Sequence, residues 1–258
     1  MDSAVILTSR TIITRCLLLA QLLWSQCGLS ATQVLLEAGA ANKYLANNSD
    51  PGIGTSWTAE VFPAESGWNN GSYGIGYENG SGAENLLETT VSDSTLSIYT
   101  RAIFNVTDPS TITSLFLGVD YDDGYVAWIN GSEVSRSTSM PVGTPQWNTR
   151  PASHESSNGV SPYYSPLQDI TSEALPVLHA GDNVLAIAAY NRSSASSNDL
   201  VLVPQLSINT TVTRGPYLQQ GTPDSVVIRW LTATATDSRV RFGDAPAVTI
   251  AIAKKPGT

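Results

Sequence analysis

The sequence has little charge, few basic residues and only two cysteines. Charged residues make up 14% of the 258 residues, against roughly 25% in an average soluble domain. Lys and Arg together number 13, and the formal net charge is −9. A protein that binds nucleic acid, or that docks by charge on anionic lipid, needs a basic surface. We therefore expect no nucleic acid among its partners.

Both cysteines, Cys16 and Cys27, lie in a segment that has the order of a secretory signal peptide. Basic residues come first, an apolar run at 16–24 follows, and small residues come after it. The run is shorter than the roughly 20 apolar residues of a membrane span. We predict a signal peptide over 1–31, a secreted extracellular protein, and no membrane attachment after processing. An uncleaved anchor and a lipoprotein on Cys27 are the alternatives.

The predicted mature chain contains no cysteine, so it has no disulfide, no thiolate nucleophile and no cysteine-based metal site. Seven Asn-x-Ser/Thr sequons agree with export and predict N-glycosylation in a eukaryotic host. Asn-Gly turns also create such sequons by chance. The candidate asparagines are Asn47, Asn70, Asn79, Asn105, Asn130, Asn191 and Asn209.

Strand patterns dominate the rest of the chain. Residues 97–106 are rich in β-branched and aromatic side chains, and 183–190 are apolar at almost every position. A strand of the second kind is expected at the centre of a sheet, buried on both faces. Asp-Gly and Asn-Gly pairs suit the positive φ angles of type I′ turns, so 113–135 is predicted to be a three-stranded antiparallel meander. Strands separated by turn signals indicate an all-β sandwich or barrel.

Two further segments stand apart. Residues 137–165 are rich in Ser, Pro, Gly and Asn, and a loop of this length is usually functional or mobile. After a change of composition at 209–213, two more strands are predicted at 226–232 and 238–243. A complete sandwich takes roughly 100 residues. The strands after residue 212 therefore indicate an incomplete second module.

Catalytic motifs are scarce. The two histidines, His154 and His179, are solitary, and no Gly-x-Ser-x-Gly nucleophile motif occurs. We expect His154 to be a solvated loop residue and His179 to flank a turn. No residue of this chain is assigned a catalytic role.

Carboxylates and aromatic rings supply the candidate binding residues. Asp120, Asp122 and Asp123 favour either a tight turn or a Ca²⁺ site, because calcium takes several oxygen ligands. The aromatic residues of the long loop, Trp147, Tyr163 and Tyr164, are candidates for stacking on a glycan or cell-surface polysaccharide. Trp68 and Trp128 are expected in the core.

The first module resembles the galactose-binding-like jelly-roll domains of secreted multidomain proteins. The resemblance rests on Gly67-Trp68, Gly74-Ile75-Gly76-Tyr77, Tyr99-x-Arg101-x-x-Phe104, Asp122-Asp123-Gly124-x-x-x-Trp128-Ile129-Asn130-Gly131-x-Glu133-Val134 and Gly181-x-Asn183-Val184-Leu185-Ala186. It implies an antiparallel jelly-roll β-sandwich over 32–208.

The second module resembles the start of the fibronectin-type-III-like N-terminal domain of purple acid phosphatases. The resemblance rests on Arg-Gly-Pro-Tyr-Leu-Gln at 214–219, Gly-Thr-Pro-Asp-Ser-Val at 221–226, Arg-Trp-x-Thr at 229–232 and Ser-Arg-Val-Arg-Phe-Gly at 238–243. It implies a partial fibronectin-type-III-like sandwich over 212–258.

Together the resemblances imply a noncatalytic N-terminal accessory region of a secreted metal-dependent phosphatase. The dinuclear metal of that family would lie in a catalytic domain beyond this chain, because its motifs, such as Gly-Asn-His-Glu, do not occur here. A structural calcium is the one metal expected in this chain. The alternatives are a carbohydrate-binding or adhesive extracellular module, or a structural cell-surface protein.

Overall fold

A computed structural model describes the backbone of residues 2–8, 30–193, 197–222, 225–232, 239–242 and 249–252, and the side chains of 31–193 and 197–212. The predicted signal peptide falls largely on 9–29, outside the described residues, and stays a prediction. The strands are β1 (Asp2–Thr8), β2 (Ser30–Leu36), β3 (Ala41–Asn47), β4 (Asn69–Ser72), β5 (Ile75–Glu78), β6 (Thr89–Thr90), β7 (Ser97–Val106), β8 (Ile112–Tyr121), β9 (Gly124–Ile129), β10 (Ser132–Arg136), β11 (Gln168–Asp169), β12 (Gly181–Tyr190), β13 (Asp199–Thr222), β14 (Ser225–Thr232), β15 (Arg239–Phe242) and β16 (Thr249–Ile252). One α-helical turn, α1 (Thr171–Ala174), and 3-10 turns at Ser56–Thr58, Pro63–Gly67, Glu84–Leu86, Pro109–Thr111 and Leu175–Val177 complete the described elements.

The chain divides into two compact units. One, here called the sandwich unit, contains Val34–Pro109 and Ser114–Ile208. The other contains Met1–Gln33, Ser110–Thr113 and Asn209–Thr258. In this second unit β14 pairs antiparallel with β1 and with β13, and β15 pairs with β16.

The second unit contains the strands expected after residue 212. The strands predicted at 226–232 and 238–243 are found as β14 and β15. Strand β13 continues through the predicted break at 209–213. The side chains after residue 212 lie outside the described residues, so the module boundaries and the fibronectin-type-III-like assignment stay predictions.

The sandwich unit contains a six-stranded sheet with strand order β10-β9-β12-β7-β3-β4 and antiparallel neighbours throughout. Strand β12 lies between β7 and β9, and every residue from Asn183 to Tyr190 is buried. The prediction of a central strand buried on both faces is therefore confirmed.

The second sheet of the sandwich unit contains β5, β6, β8, β11 and the first part of β13. Its pairs are antiparallel where β13 meets β5 and β11 meets β8, and parallel where β5 meets β6. Gln168 of β11 donates to the Tyr125 hydroxyl of the six-stranded sheet at 2.8 Å. Apolar side chains from strands of both sheets are fully buried, among them Leu115, Leu117, Leu185, Ile187 and Leu202. The predicted all-β, antiparallel jelly-roll sandwich is therefore confirmed.

The meander expected over 113–135 is wrong in its first turn. Strands β9 and β10 do form a hairpin through Asn130 and Gly131, whose φ angles are +49° and +89°. Strand β8, however, pairs with β11 and β13 in the other sheet. The segment Asp122-Asp123-Gly124 therefore carries the chain from one sheet to the other. An added Cβ at Gly124 would approach Pro151 Cβ to 2.7 Å, so the glycine is needed for close packing.

The outer face of the six-stranded sheet is apolar and is covered by irregular chain. Its buried side chains come from three adjacent strands: Tyr99, Val126, Trp128, Ala186, Ala188 and Tyr190. The 3-10 turn Ser56–Thr58 packs over β12. It stacks the Trp57 ring on Tyr99 with centroids 4.3 Å apart, and Trp57 meets Trp128 edge-on at 5.5 Å. Trp68 joins the same cluster, so Trp68 and Trp128 are core residues, as expected.

A buried arginine fixes the covering segment. Arg101 lies on β7 and is 3% exposed. Its guanidinium pairs with the Glu65 carboxylate at 2.6 Å and donates to the carbonyls of Trp57, Ala59 and Glu60. Arginine has five N–H donors in a rigid fork and keeps its charge. One side chain can therefore pair with several carbonyls of the covering segment that would otherwise have no hydrogen-bond partner.

Replacing this arginine should be costly. We expect Arg101→Met to lower the free energy of unfolding by about 3–5 kcal/mol, because a buried pair and three carbonyls lose their partner. Arg136→Met is the matched control. The pair that Arg136 forms with Glu133 is 19% and 39% exposed, so the expected loss is about 1 kcal/mol or less. Denaturant unfolding measures both, and equal losses would contradict the role given to Arg101.

Candidate functional site

The long segment between β10 and β11 is irregular in the structure, as predicted, and buried carboxylates hold it in place. Asp120, at the end of β8, is 4% exposed. Its Oδ1 accepts the backbone N–H of Ser157 at 2.8 Å, and its Oδ2 accepts the backbone N–H of Tyr163 at 2.8 Å and the Ser157 hydroxyl. One carboxylate therefore fixes two points of the loop.

Asp123 plays a similar part for neighbouring segments. It is 4% exposed. Its Oδ1 accepts the backbone N–H of His154 at 3.2 Å, and its Oδ2 accepts the backbone N–H of Arg192 at 2.7 Å. The two oxygens of Asp123 thus join the long loop to the segment that leaves β12.

Asp122 differs from both neighbours. It is 3% exposed, and its Oδ1 is buried with no hydrogen-bond partner. Carboxylate oxygens of Asp122, Glu155 and Asp199 lie within 4.8 Å of one another. Asp199 is 7% exposed, whereas Glu155 is exposed to solvent. We call these three residues the carboxylate cluster.

Two members of the carboxylate cluster, Asp122 and Asp199, have raised pKa values. The pKa of Asp122 is raised to about 8, chiefly by burial and also by the charges of Asp123, Asp199 and Glu155, while a hydrogen bond from the Asp123 N–H opposes the shift. Burial and then the charge of Glu155 raise the pKa of Asp199. Both effects have one cause, which is negative charge held out of water beside more negative charge.

The carboxylate cluster overlaps the predicted calcium residues in one member. Asp120, Asp122 and Asp123 are all buried at one end of the sheets, but Asp120 and Asp123 are engaged with loop amides. The sequence reasoning missed Glu155 and Asp199. Neither has a spacing signal, because Glu155 lies in a loop and Asp199 begins a strand far along the chain.

Within the described part of the chain, the contacts of His154 and His179 include no Ser, Thr or Cys side chain. His154 is exposed, stacks on Tyr121 with centroids 4.0 Å apart, and its Nδ1 lies 3.0 Å from the Tyr121 carbonyl. His179 precedes β12, and its Nε2 lies 3.2 Å from Glu60. A hydrogen bond with the Ala180 carbonyl, together with Glu60, raises the pKa of His179.

A second feature is a cleft of about 240 Å³ on the outer side of the six-stranded sheet. Its lining residues are Asp50, Pro51, Gly52, Gly54, Tyr99, Gln146 and Trp147. Trp147 is half-buried and packs against the cluster that contains Trp57 and Tyr99. Asp50 and Gln146 are exposed, and the positions where Gly52 and Gly54 would carry a Cβ are open. The cleft therefore combines an aromatic wall with polar groups and accessible backbone.

The three predicted glycan residues do not share one site. Trp147 lines the cleft on the six-stranded sheet. Tyr164 packs instead against the buried cluster of Ala83, Leu86, Val201 and Val203, and its hydroxyl accepts the N–H of Ala38 at 3.3 Å. Tyr163 is 64% exposed and does not line the cleft. Of the three, Trp147 is the one that lines this cleft.

The sequon asparagines lie in two kinds of environment. Asn47 and Asn191 are 3% and 1% exposed, and their Nδ2 atoms donate to Ser97 and Tyr77. Nδ2 of Asn130 donates to the Val177 carbonyl and to Asn183. Asn70, Asn79 and Asn105 are exposed, and Asn209 is half-buried.

Comparison with known proteins gives a distant likeness only. No family model and no curated protein matches the chain. A β-glucuronidase of Bacteroides uniformis is 12% identical with a TM-score of 0.43, over 70% of this chain and 18% of that one. A β-glucuronidase of an uncultured Clostridium is 14% identical with a TM-score of 0.39, over 79% and 34%. The Ruminococcus gnavus enzyme in complex with uronic isofagomine is 12% identical with a TM-score of 0.40, over 86% and 38%.

The chain spans less than two fifths of the length of each of these three enzymes. Likenesses of this degree carry no argument about activity. Among the residues that the structure describes, no helix has the length and apolar character needed to cross a membrane.

The burial of the asparagines predicts which sequons are used. Expressed in a glycosylating host, the secreted chain should carry N-glycans at Asn70 and Asn79 and none at Asn47 or Asn191. A glycan is attached through Nδ2, and the buried Nδ2 atoms are already donors in the core. Site-resolved mass spectrometry measures the occupancy. A glycan at Asn191 in protein that still unfolds cooperatively would contradict the assignment.

Proposed function

We propose that this chain is a noncatalytic carbohydrate-binding module of an extracellular protein, and that its cleft takes one ring of a neutral glycan. The observation that carries the proposal is the aromatic cleft itself, in which Trp147 stands beside exposed Asp50 and Gln146. The ring of Trp147 offers an aromatic surface, and the polar groups around it can fix the orientation of a ligand.

The chemistry of a pyranose suits this wall. One face of the ring carries C–H groups that stack on indole, and the hydroxyl groups at its edge need donors and acceptors. Gln146 offers both, and Asp50 offers acceptors. The volume of about 240 Å³ is below the roughly 300–1,000 Å³ of pockets that enclose drug-sized ligands. The cleft thus suits one ring at the end or side of a chain.

Charge favours a neutral sugar over an acidic one. Within the described part of the chain, the residues that line the cleft include one acid, Asp50, and no Lys, Arg or His. The whole chain carries a formal charge of −9. A sulfate or uronate group would meet repulsion there without a cationic partner.

The narrower proposal is an accessory region of a secreted phosphatase. It rests on the motif residues at 214–243, whose side chains lie outside the described residues, so it is supported by sequence alone. The gene sequence that follows residue 258 tests it directly. A dinuclear-metal motif downstream supports the phosphatase assignment, whereas its absence leaves the carbohydrate-binding or adhesive module.

Glycan binding through the cleft can be measured with the purified chain. We expect a neutral-glycan array to give signals, with dissociation constants of about 10 µM to 10 mM by calorimetry, and Trp147→Ala to weaken binding at least about tenfold. Tyr163→Ala is the control, because Tyr163 lies in the same long loop but outside the cleft. It should bind as the parent does.

Trp147 also packs on the core, so a second variant is needed. Gln146→Ala changes an exposed lining residue and should weaken binding without changing the thermal midpoint. The proposal is wrong if no neutral glycan binds at 10 mM, or if both Trp147→Ala and Gln146→Ala bind as tightly as the parent.

A further inference from the structure

Oδ1 of Asp122 differs from the carboxylate oxygens of its two neighbouring aspartates, because it has no hydrogen-bond partner. Asp120 and Asp123, on either side, each satisfy both of their oxygens with loop N–H or O–H groups. Oδ1 of Asp122 is equally buried and has no hydrogen-bond partner. An unpaired buried carboxylate oxygen is costly, and such groups are retained where a proton, a cation or a ligand supplies the missing partner.

Two more carboxylates approach the same point. Asp122 follows β8, Glu155 lies in the long loop and Asp199 begins β13, yet their oxygens are within 4.8 Å. The ion pairs among the described residues are Arg101–Glu65, Arg136–Glu133 and His179–Glu60, and none of them reaches the carboxylate cluster. Three chain segments thus bring like charges together without a basic side chain between them.

We infer that Asp122, Glu155 and Asp199 form a site for a divalent cation of the calcium type, which ties the long loop to both sheets. The donors are all oxygen, the set that calcium prefers, and no His or Cys is present to favour zinc. The three oxygens lie within 4.8 Å of one another, so all of them can ligate one calcium ion, whose ligands at 2.3–2.6 Å are at most about 5.2 Å apart.

The proposed site can accept further ligands, and a bound cation would help to anchor the long loop. Glu155 is exposed, so water can complete a shell of six to eight oxygens. The loop that carries Glu155 continues to Ser157 and Tyr163, which Asp120 holds. The cation would therefore extend an existing anchorage of this loop. The carboxylate cluster shares no residue with the lining of the cleft, so this inference stands or falls independently of the glycan.

The test uses the full chain after removal of metals with EDTA. Calcium chloride should bind with one-to-one stoichiometry by calorimetry and raise the thermal midpoint by a few degrees at saturating concentration. Asp122→Asn and Asp199→Asn should each weaken calcium binding at least about tenfold. Glu88→Gln removes one exposed charge outside the carboxylate cluster, and this control should bind calcium as the parent does.

Stability without metal separates a binding role from a merely structural one. In EDTA, Asp122→Asn should be at least as stable as the parent, because it removes a buried carboxyl group that its acidic neighbours repel when it ionises, and calcium should no longer stabilise it. The inference is overturned if millimolar calcium neither binds nor stabilises the parent, if Asp122→Asn binds calcium unchanged, or if Asp122→Asn unfolds at lower temperature than the parent in EDTA. Tighter binding of magnesium or zinc would overturn the assignment to calcium.

Discussion

Loops that cover an apolar sheet bury their own peptide groups, and each of these groups needs a hydrogen-bond partner away from water. In the sandwich unit a few buried charged side chains provide such partners. Arg101 donates hydrogen bonds to three carbonyls of the segment that covers the six-stranded sheet. Asp120 and Asp123 accept hydrogen bonds from four backbone N–H groups, three in the long loop and one in the segment that follows β12. The aromatic cluster and the long loop both depend on this pairing.

Both proposed sites follow from the same constraint. The cleft exists because Arg101 holds Trp57 on Tyr99, and Trp147 then packs beside them. The carboxylate cluster exists because loops held by Asp120 and Asp123 bring Glu155 close to Asp122, the one acid of the three that the loops leave without a partner at Oδ1. A cation would supply the partner that Oδ1 of Asp122 lacks, as side chains do for other buried polar groups of these loops.

Local sequence patterns predicted much of the sandwich and little of the sites. The apolar run at 183–190 could be placed at a sheet centre because burial on both faces leaves no polar position. Asn130-Gly131 predicted its hairpin because the turn itself demands positive φ at both residues. Asp123-Gly124 gave the same signal and was misleading, because Asp123 binds the amides of His154 and Arg192 and the strands on either side belong to different sheets. Glu155 and Asp199 could not be found, because only the fold brings them to Asp122.

Hydrogen exchange at the loop amides tests this account most directly. The N–H groups of Ser157 and Tyr163 should exchange about a hundredfold or more slowly than in an unstructured peptide, although both residues are surface-exposed, because Asp120 binds them. Asp120→Ala should abolish that protection and leave the amides held by Asp123 protected. Exchange of Ser157 and Tyr163 at the unstructured rate in the parent, or unchanged protection in Asp120→Ala, would contradict the claim that buried side chains fix these loops.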